Sequence, residues 1–141
     1  MRLSKRGYTL VEIMIVVGIV AVLITLVVPN ILRSRSVANE AAAISNLKII
    51  SNACQLFHIG QDRYPSALTE LSTATPPYID SVLAGGNKQG YDFIYSTTSD
   101  GYSINANPSG ILGGRYFYVD QTDTVHVKSG GTAGPDDEII R

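Results

Sequence analysis

The sequence predicts an α+β protein in which a long N-terminal α-helix packs against a small antiparallel β-sheet. Three features predict this fold: an apolar run that begins at residue 9, a helical stripe of apolar residues that continues it, and short aromatic and β-branched segments in the C-terminal third. The chain has 141 residues, of which 45% are hydrophobic and 16% charged. This composition suits one modest domain joined to a segment that is too apolar for an ordinary soluble surface.

Residues 9–28 form an apolar run of twenty residues in which Glu12 is the sole ionisable side chain. At about 1.5 Å per residue the run makes roughly 30 Å of helix, which matches the hydrocarbon thickness of a bilayer. The basic residues before it are Arg2, Lys5 and Arg6. Their position predicts a cytoplasmic N-terminus and an exported remainder. A cleaved secretory signal is the alternative, but bulky residues and Pro29 at the end of the run make a poor cleavage site.

Charge and motifs exclude several function classes. Residues 8–141 carry eight basic and twelve acidic side chains, a net charge of −4, which argues against nucleic acid as a partner. Cys54 is the single cysteine, so neither an intrachain disulfide nor a cysteine zinc site can form. The sequence lacks the G-x-S-x-G and H-E-x-x-H motifs and a phosphate loop that follows a strand, and its two histidines, His58 and His126, fall in different elements. We therefore predict that the chain is not an enzyme.

Glu12 is an unusual residue for a membrane helix, because a carboxylate at mid-membrane costs about 2.5–3.5 kcal/mol. In one interpretation Glu12 lies near the cytoplasmic interface and costs little. In the other it pairs with a cation at the same depth. Cleavage after Gly7 would create that cation as the α-amino group of Tyr8, presented by a neighbouring subunit.

The segment Arg6-Gly7-Tyr8-Thr9-Leu10-Val11-Glu12, the apolar run and Pro29 resemble the N-terminal signal of type IV pilins and type II secretion pseudopilins. The resemblance covers about the first thirty residues. It implies a membrane prepilin peptidase that cuts after Gly7 and methylates the amine of Tyr8, which stands where the family most often has phenylalanine. It also implies that Glu12 meets the N-terminus of an adjacent subunit during assembly and that helices kink or melt at Pro29 within filaments.

The resulting domain organisation is a leader at 1–7, a transmembrane and assembly helix at 8–59 and an extracytoplasmic head at 60–141. Gly60 is the predicted helix stop, Ser66 the predicted cap of a brief second helix, and residues 85–90 a flexible connection. Four antiparallel strands are predicted, with turns at Ser99-Asp100-Gly101 and Gln121-Thr122-Asp123. The stripe expected to pack on this pilin-like head comprises Val37, Ala41, Ile44, Leu47, Ile50, Cys54 and Phe57.

No cofactor is assigned. The resemblance raises a structural calcium ion near the C-terminus, although the spacing is not that of an EF-hand and no metal ligand is named. The acidic side chains that could supply oxygen ligands are Asp120, Asp123, Asp136, Asp137 and Glu138.

The leading functional hypothesis is a structural subunit of a type IV pilus-like filament that serves attachment, motility or DNA uptake. The resemblance implies that the partners are further copies of the chain, the membrane, the prepilin peptidase, and an assembly platform with its ATPase. Before assembly the chain would cross the inner membrane once, and afterwards it would lie in a surface pilus or a periplasmic pseudopilus. The first alternative is a pseudopilin of a type II protein secretion system. The second is a membrane-anchored binding protein that never polymerises.

Overall fold

The computed structural model describes residues 7–98, 100–110 and 114–140. The chain divides into two compact units, Met1–Arg35 and Ser36–Arg141. Helix α1, Leu10–Gln61, supplies most of the described part of the first unit and the opening part of the second.

The second unit adds two short helices and one sheet to the C-terminal part of α1. The helices are α2 (Leu68–Thr73) and α3 (Ser81–Ala84). The strands are β1 (Asn87–Lys88), β2 (Tyr91–Thr97), β3 (Tyr102–Pro108), β4 (Tyr116–Asp120), β5 (His126–Lys128) and β6 (Glu138–Ile139). They form one sheet in the order β1-β2-β3-β4-β5-β6, and every neighbouring pair is antiparallel. This architecture confirms the predicted α+β fold.

Helix α1 contributes one face to a single hydrophobic core, as the apolar stripe predicts in part. Leu47, Ile50 and Cys54 are fully buried and belong to the same cluster as the inner residues of the sheet. Val37, which the stripe also includes, is instead 61% exposed. Asn46 lies outside the predicted stripe, yet it is buried, and its amide donates to the Gln89 side chain at 3.2 Å. Periodicity alone therefore misplaces the start of the packed face.

Helix α1 ends two residues beyond residue 59, the last helical residue that the sequence predicts. Its last residue is Gln61, and the Asp62 N–H donates to the His58 carbonyl at 2.8 Å. Asp62 has a φ of 55°, the left-handed conformation that closes many helices. The cap is therefore Asp62, and the predicted stop at Gly60 is wrong by two residues.

The sheet buries alternate residues against the helix, which is the pattern expected of a sheet with one face on the core. Ile104, Phe117 and Val119 have no exposed surface, and Ile104 pairs directly with Val119 across β3 and β4. Tyr91 and Tyr102 are likewise buried. The tyrosines of the strands thus serve in packing, as the sequence predicts.

Two edge strands and one cap differ from the sequence prediction. Strands β1 and β6 have two residues each, too few to show alternation, and β1 lies in the stretch predicted as a flexible connection. The N-cap of α2 is Ala67, whereas the Ser66 N–H and hydroxyl both donate to the Glu70 carboxylate. Ser66 is therefore not the cap.

The two predicted β-turns have different outcomes. The turn at Gln121-Thr122-Asp123 joins β4 to β5: the Asp123 N–H donates to the Asp120 carbonyl at 3.0 Å, and Asp123 has a φ of 59°. The turn predicted at Ser99-Asp100-Gly101 connects β2 and β3, but Ser99 lies outside the described residues.

Candidate processing and assembly site

Gly7, Tyr8 and Glu12, three of the residues predicted to function in processing and assembly, lie together at the start of α1. Gly7 to Thr9 precede the helix, and Tyr8 is 84% exposed. The first backbone bond of the helix runs from the Ile13 N–H to the Thr9 carbonyl at 3.3 Å. The peptide bond between Gly7 and Tyr8 therefore lies in non-helical, exposed backbone.

Thr9 and Glu12 bond to each other at this helix start. The Thr9 N–H and the Thr9 hydroxyl both donate to Glu12 Oε2, at 2.9 and 3.0 Å. The Glu12 N–H donates in return to Thr9 Oγ1 at 3.2 Å. This is a capping box, in which a threonine N-cap and a glutamate three residues later satisfy each other's backbone donors.

The role of Thr9 is not among the predictions made from the sequence, although the sequence carries a signal for it. The T-x-x-E spacing immediately before an apolar run is the usual sequence mark of a capping box. Glu12 was interpreted only through the cost of a carboxylate in a membrane. Its nearest hydrogen-bonding partner lies in its own chain.

The first part of α1 is apolar on all sides and has no packing partner within its own unit. Every Val, Ile, Leu and Met from Leu10 to Leu32 is between 40% and 75% exposed. Among the described residues, α1 is the one helix that is long and apolar enough to cross a membrane. A surface of this kind needs either lipid or other protein surfaces around it.

Pro29, the fourth predicted site residue, lies inside α1 about five turns beyond Glu12. Proline has no N–H, so the Thr25 carbonyl loses the donor that a helix would supply there. The neighbouring side chains bond to backbone of the same helix: the Thr25 hydroxyl donates to the Val22 carbonyl at 2.7 Å, and the Asn30 amide donates to the Leu26 carbonyl at 3.1 Å. Pro29 is therefore a point with one backbone hydrogen bond fewer inside an otherwise helical segment.

Ser51 joins α1 to the sheet through a polar cluster in which Ser51 and Tyr102 are buried and Asp123 is exposed. Its hydroxyl donates to Asp123 Oδ1 at 2.6 Å and lies 2.8 Å from the Tyr102 hydroxyl. Because the single Ser51 proton goes to the carboxylate, the Tyr102 hydroxyl donates to Ser51 Oγ. Tyr102 and Asp123 follow Ser51 in the chain by 51 and 72 positions. Because the partners are so far apart, the sequence carries no local signal for the cluster.

A second long-range contact pairs Glu40 on α1 with Arg115, the residue before β4. Arg115 donates to the Glu40 carboxylate from its backbone N–H at 3.1 Å and from Nε at 3.0 Å, and its terminal Nη2 lies 2.9 Å away. Only 15% of the Glu40 side chain is exposed. The pair fixes the start of β4 against the helix, and we identify no catalytic geometry around it.

Cys54 and His58 are packing groups in this structure. Burial raises the pKa of the Cys54 thiol to about 12, so the thiol stays protonated at physiological pH. The His58 ring stacks on Tyr64 with centroids 4.4 Å apart. Within the described part of the chain, no group of three or more His, Cys, Asp or Glu side chains is arranged to hold a metal ion.

Three of the five acidic residues considered for calcium, Asp120, Asp123 and Asp137, accept hydrogen bonds from protein donors. Asp120 Oδ1 accepts from the Thr122 N–H at 2.9 Å and from its hydroxyl at 2.6 Å, and Asp123 is held by Ser51. Asp136 and Glu138 are each exposed to solvent. A calcium ion needs six to eight oxygen ligands around one point, and this distribution does not supply them.

Asp137 already has a cationic partner. Its Oδ2 accepts from the Gly134 N–H at 2.8 Å, and its Oδ1 lies 3.4 Å from Lys128 Nζ. The Gly134 hydrogen bond, aided by Lys128, lowers the pKa of this carboxyl. An ammonium group beside the carboxylate opposes a second cation by charge repulsion. The residues present therefore do not fit the calcium site that the resemblance raised.

These features define a chain with a prepilin-type N-terminus, a helix long and apolar enough to cross a membrane, and a pilin-like head. Residues 2–28 match the family described as Prokaryotic N-terminal methylation motif. The chain is similar both to type II secretion pseudopilins and to a type IV pilin, which supports the resemblance seen in its N-terminal segment.

The relatives include type II secretion system proteins and a type IV pilin. The chain is 35% identical to type II secretion system core protein G of Escherichia coli (strain K12) over 89 residues, which are 62% of this chain and 61% of that protein. It is 28% identical to core protein G of Klebsiella michiganensis over 144 residues, covering 98% of this chain and 93% of the relative. It is 32% identical to the type IV major pilin protein PilA of Myxococcus xanthus over 96 residues, 64% of this chain and 40% of PilA. The chain thus spans less than two thirds of the Escherichia coli and Myxococcus relatives.

Proposed function

We propose that this chain is a structural subunit of a type IV pilus-like filament, polymerised through its N-terminal helix. The observation that carries the proposal is the exposure of every large aliphatic side chain from Leu10 to Leu32. Lipid can cover this surface while the chain is a membrane protein, and the helices of other copies can cover it afterwards. Both environments are apolar. When the helix moves from the bilayer into the filament, the apolar surface that loses contact with lipid is therefore mostly buried again against other helices.

The proposed processing step is cleavage after Gly7 by a prepilin peptidase, followed by N-methylation of Tyr8. The match of residues 2–28 to the methylation motif supports it, as does the non-helical, exposed backbone at Gly7 and Tyr8. A peptidase can bind such a segment without unwinding a helix. In this proposal residues 1–7 are the leader, 8–59 the anchor and assembly helix, and 60–141 the head.

The proposed orientation follows the basic leader, which keeps the N-terminus in the cytoplasm and the head outside. Glu12 would bond the new amine of Tyr8 on an adjacent subunit during assembly. Pro29 would mark the place where the helix opens in the filament, since one backbone hydrogen bond is already missing there. The partners implied are the peptidase, an assembly platform and its ATPase. The family is structural, and we propose no catalytic activity.

A second candidate is a pseudopilin of a type II protein secretion system. The match to Klebsiella core protein G favours it, because that alignment runs across 98% of the chain and so includes the head. The match to PilA supports the pilus subunit. Deletion of the gene separates the two functions: loss of surface filaments with normal extracellular protein indicates a pilin, whereas folded proteins retained in the periplasm indicate a pseudopilin.

The experiment that tests polymerisation is intact mass measurement and N-terminal sequencing of the protein from membranes and from sheared extracellular material. A chain that begins at N-methylated Tyr8 in the sheared fraction supports a processed filament subunit. An uncut chain that starts at Met1 and occurs only in membranes contradicts it and leaves the membrane-anchored binding protein. For a periplasmic pseudopilus, the same measurement is made on filaments released after overproduction.

A further inference from the structure

Arg33 and Arg35 are the first charged side chains of α1 after Glu12, and both are exposed. They follow directly on the exposed aliphatic segment from Leu10 to Leu32. At about 1.5 Å per residue that segment is roughly 33 Å long, close to the thickness of the hydrocarbon core of a bilayer. When the segment spans a membrane, the two arginines therefore lie at the depth of the lipid headgroups.

No carboxylate of this chain neutralises either arginine within the part that the structure describes. Most cationic side chains of the head do have such partners: ion pairs with carboxylates are formed by Arg63, Lys88, Arg115 and Lys128. Arg33 and Arg35 form no ion pair and no side-chain hydrogen bond among the described residues. Each guanidinium therefore keeps its five N–H donors for a group from outside the chain.

The two side chains leave the helix in nearly opposite directions. Residues two positions apart differ by about 200° around the axis of an α-helix. A protein surface packed along one side of α1 can therefore contact Arg33 or Arg35, but it does not reach both in the same way. The headgroup layer of a membrane surrounds a helix on all sides and supplies partners to both arginines.

Phosphate is the anion present at that depth, and it suits arginine. The planar guanidinium donates two parallel hydrogen bonds to phosphate oxygens, while the aliphatic stem of the side chain can lie along apolar surface. Each basic side chain near an anionic membrane surface contributes about fivefold to the attraction. Arginines on two sides of α1 therefore favour anionic lipids around this part of the helix.

We propose that Arg33 and Arg35 form a lipid-binding site, in which each guanidinium binds the phosphate group of an anionic phospholipid at the head-side boundary of the membrane. The inference rests on the membrane stage of the proposed function and goes beyond it by assigning a lipid partner to the chain. The two bound lipids hold α1 at a fixed depth. They must dissociate, or leave with the chain, when the helix enters a filament.

The test uses the full chain reconstituted in vesicles of equimolar phosphatidylcholine and phosphatidylglycerol. Flotation of the vesicles first verifies that the chain inserts. The chain is then released into mild detergent, and native mass spectrometry counts the lipids of each kind that stay bound. Arg33→Gln and Arg35→Gln are measured singly and together.

Lys48→Gln is the matched control. Lys48 is an exposed cation on the same helix, about 20 Å beyond Arg35, and it forms no ion pair among the described residues. Near-ultraviolet circular dichroism of every variant verifies that the head is folded, as expected for substitutions of exposed side chains.

The wild-type chain is expected to retain phosphatidylglycerol over phosphatidylcholine by about fivefold. Each single glutamine substitution should roughly halve the number of phosphatidylglycerol molecules retained, and the double substitution should bring the ratio of the two lipids to about one. Replacing both arginines with lysine should keep the ratio within about twofold of wild type, because the charge remains. Lys48→Gln should leave the ratio unchanged.

Equal lipid ratios for the wild type and the double glutamine variant would overturn the inference. An equal loss from Lys48→Gln would also overturn it, because the effect would then be one of charge in general. Displacement of the lipid by glycerol phosphate, where sodium chloride of the same ionic strength has no effect, would indicate a site for a free phosphate ester and refute the lipid assignment. Loss of filaments in cells from a double variant that still prefers phosphatidylglycerol in vesicles would indicate carboxylates of a second copy as the partners, against the inference.

The lipid measurement requires no filament, so it separates this inference from the proposed function. A lipid preference that depends on Arg33 and Arg35 in a chain that never forms filaments would support the inference and contradict only polymerisation. A chain that does not insert into the vesicles would contradict the membrane stage of the proposed function and overturn this inference with it.

Discussion

Replacing Ser51 with alanine tests how the head is joined to α1. Ser51 has no exposed surface, and its hydroxyl links the helix to Tyr102 in β3 and to Asp123 in the turn after β4. The bond to Asp123, at 2.6 Å, has a charged acceptor and is the stronger of the two. The substitution removes both bonds without creating a large cavity.

The expected magnitude is smaller than the sum of two bonds. A hydrogen bond to a charged group contributes about 1.5–3 kcal/mol and a neutral one about 1 kcal/mol. After the substitution, however, Asp123 is free to be hydrated, and the Tyr102 hydroxyl can donate its proton instead to the backbone carbonyl of residue 51, 3.3 Å away. We therefore expect the free energy of unfolding to fall by about 1–2 kcal/mol.

The assay is unfolding of the chain by urea in detergent, monitored by near-ultraviolet circular dichroism. The chain has no tryptophan, and all of its 8 tyrosines except Tyr8 lie in residues 60–141, so the signal mainly reports tyrosine packing in the head. With a slope of about 1–3 kcal/mol per molar urea, the midpoint should fall by roughly 0.3–2 M.

Ser45→Ala is the control for this prediction, because Ser45 lies on the exposed face of the same helix. The Ser45→Ala variant measures the gain in helix propensity from serine to alanine, about 0.5 kcal/mol. The same gain at residue 51 partly offsets the free energy of unfolding lost with the Ser51 hydroxyl. A Ser51→Ala midpoint equal to that of Ser45→Ala would refute the claim that this cluster stabilises the head.

Three further predictions concern reactive and charged groups of the head. Burial raises the pKa of Cys54 to about 12, so iodoacetamide at pH 8 should leave the folded chain unmodified and alkylate it in urea; rapid labelling of the folded chain would contradict the burial. The Arg63 hydrogen bond, together with the Ser66 N–H, lowers the pKa of Glu70 from 4.5 to about 2. This contribution to stability is therefore present above pH 4.5 and lost as the pH falls toward 2, and Glu70→Gln should flatten the pH dependence in that window, whereas an unchanged profile would show that the pair is not formed. The melting temperature should be the same in millimolar calcium chloride as in EDTA, since Lys128 already faces Asp137; a rise in calcium that EDTA reverses would show that a metal site forms.

The sequence predicted much of the fold because the main signals are local. The strands around Phe93, Ile104 and Phe117 alternate inward and outward residues with a period of two, and the core stripe of α1 repeats every three to four residues. Edge strands β1 and β6 carry too few residues for such a pattern. Their hydrogen bonds exist only because a neighbouring strand supplies the partner backbone.

Caps were predicted less well because residue type alone does not say which partner a side chain takes. Ser66 has the composition of an N-cap, yet it donates to Glu70 and leaves Ala67 at the cap position. Gly60 has the composition of a helix stop, yet Asp62 adopts the left-handed conformation two residues later. In both cases the neighbouring packing decides among several locally acceptable solutions.

By itself, the sequence determined the apolar run, the lone carboxylate at Glu12 within it and the match of residues 2–28 to the methylation motif, since each of these is a contiguous property of the chain. Only the tertiary structure decided that Glu40 meets Arg115 and that Ser51 meets Asp123. Those partners are separated by 75 and 72 residues, and their contact depends on how the sheet lies on the helix. A hydrogen bond requires atoms within about 3 Å in the right direction, and that condition is set by the packing of the whole head rather than by any segment of it.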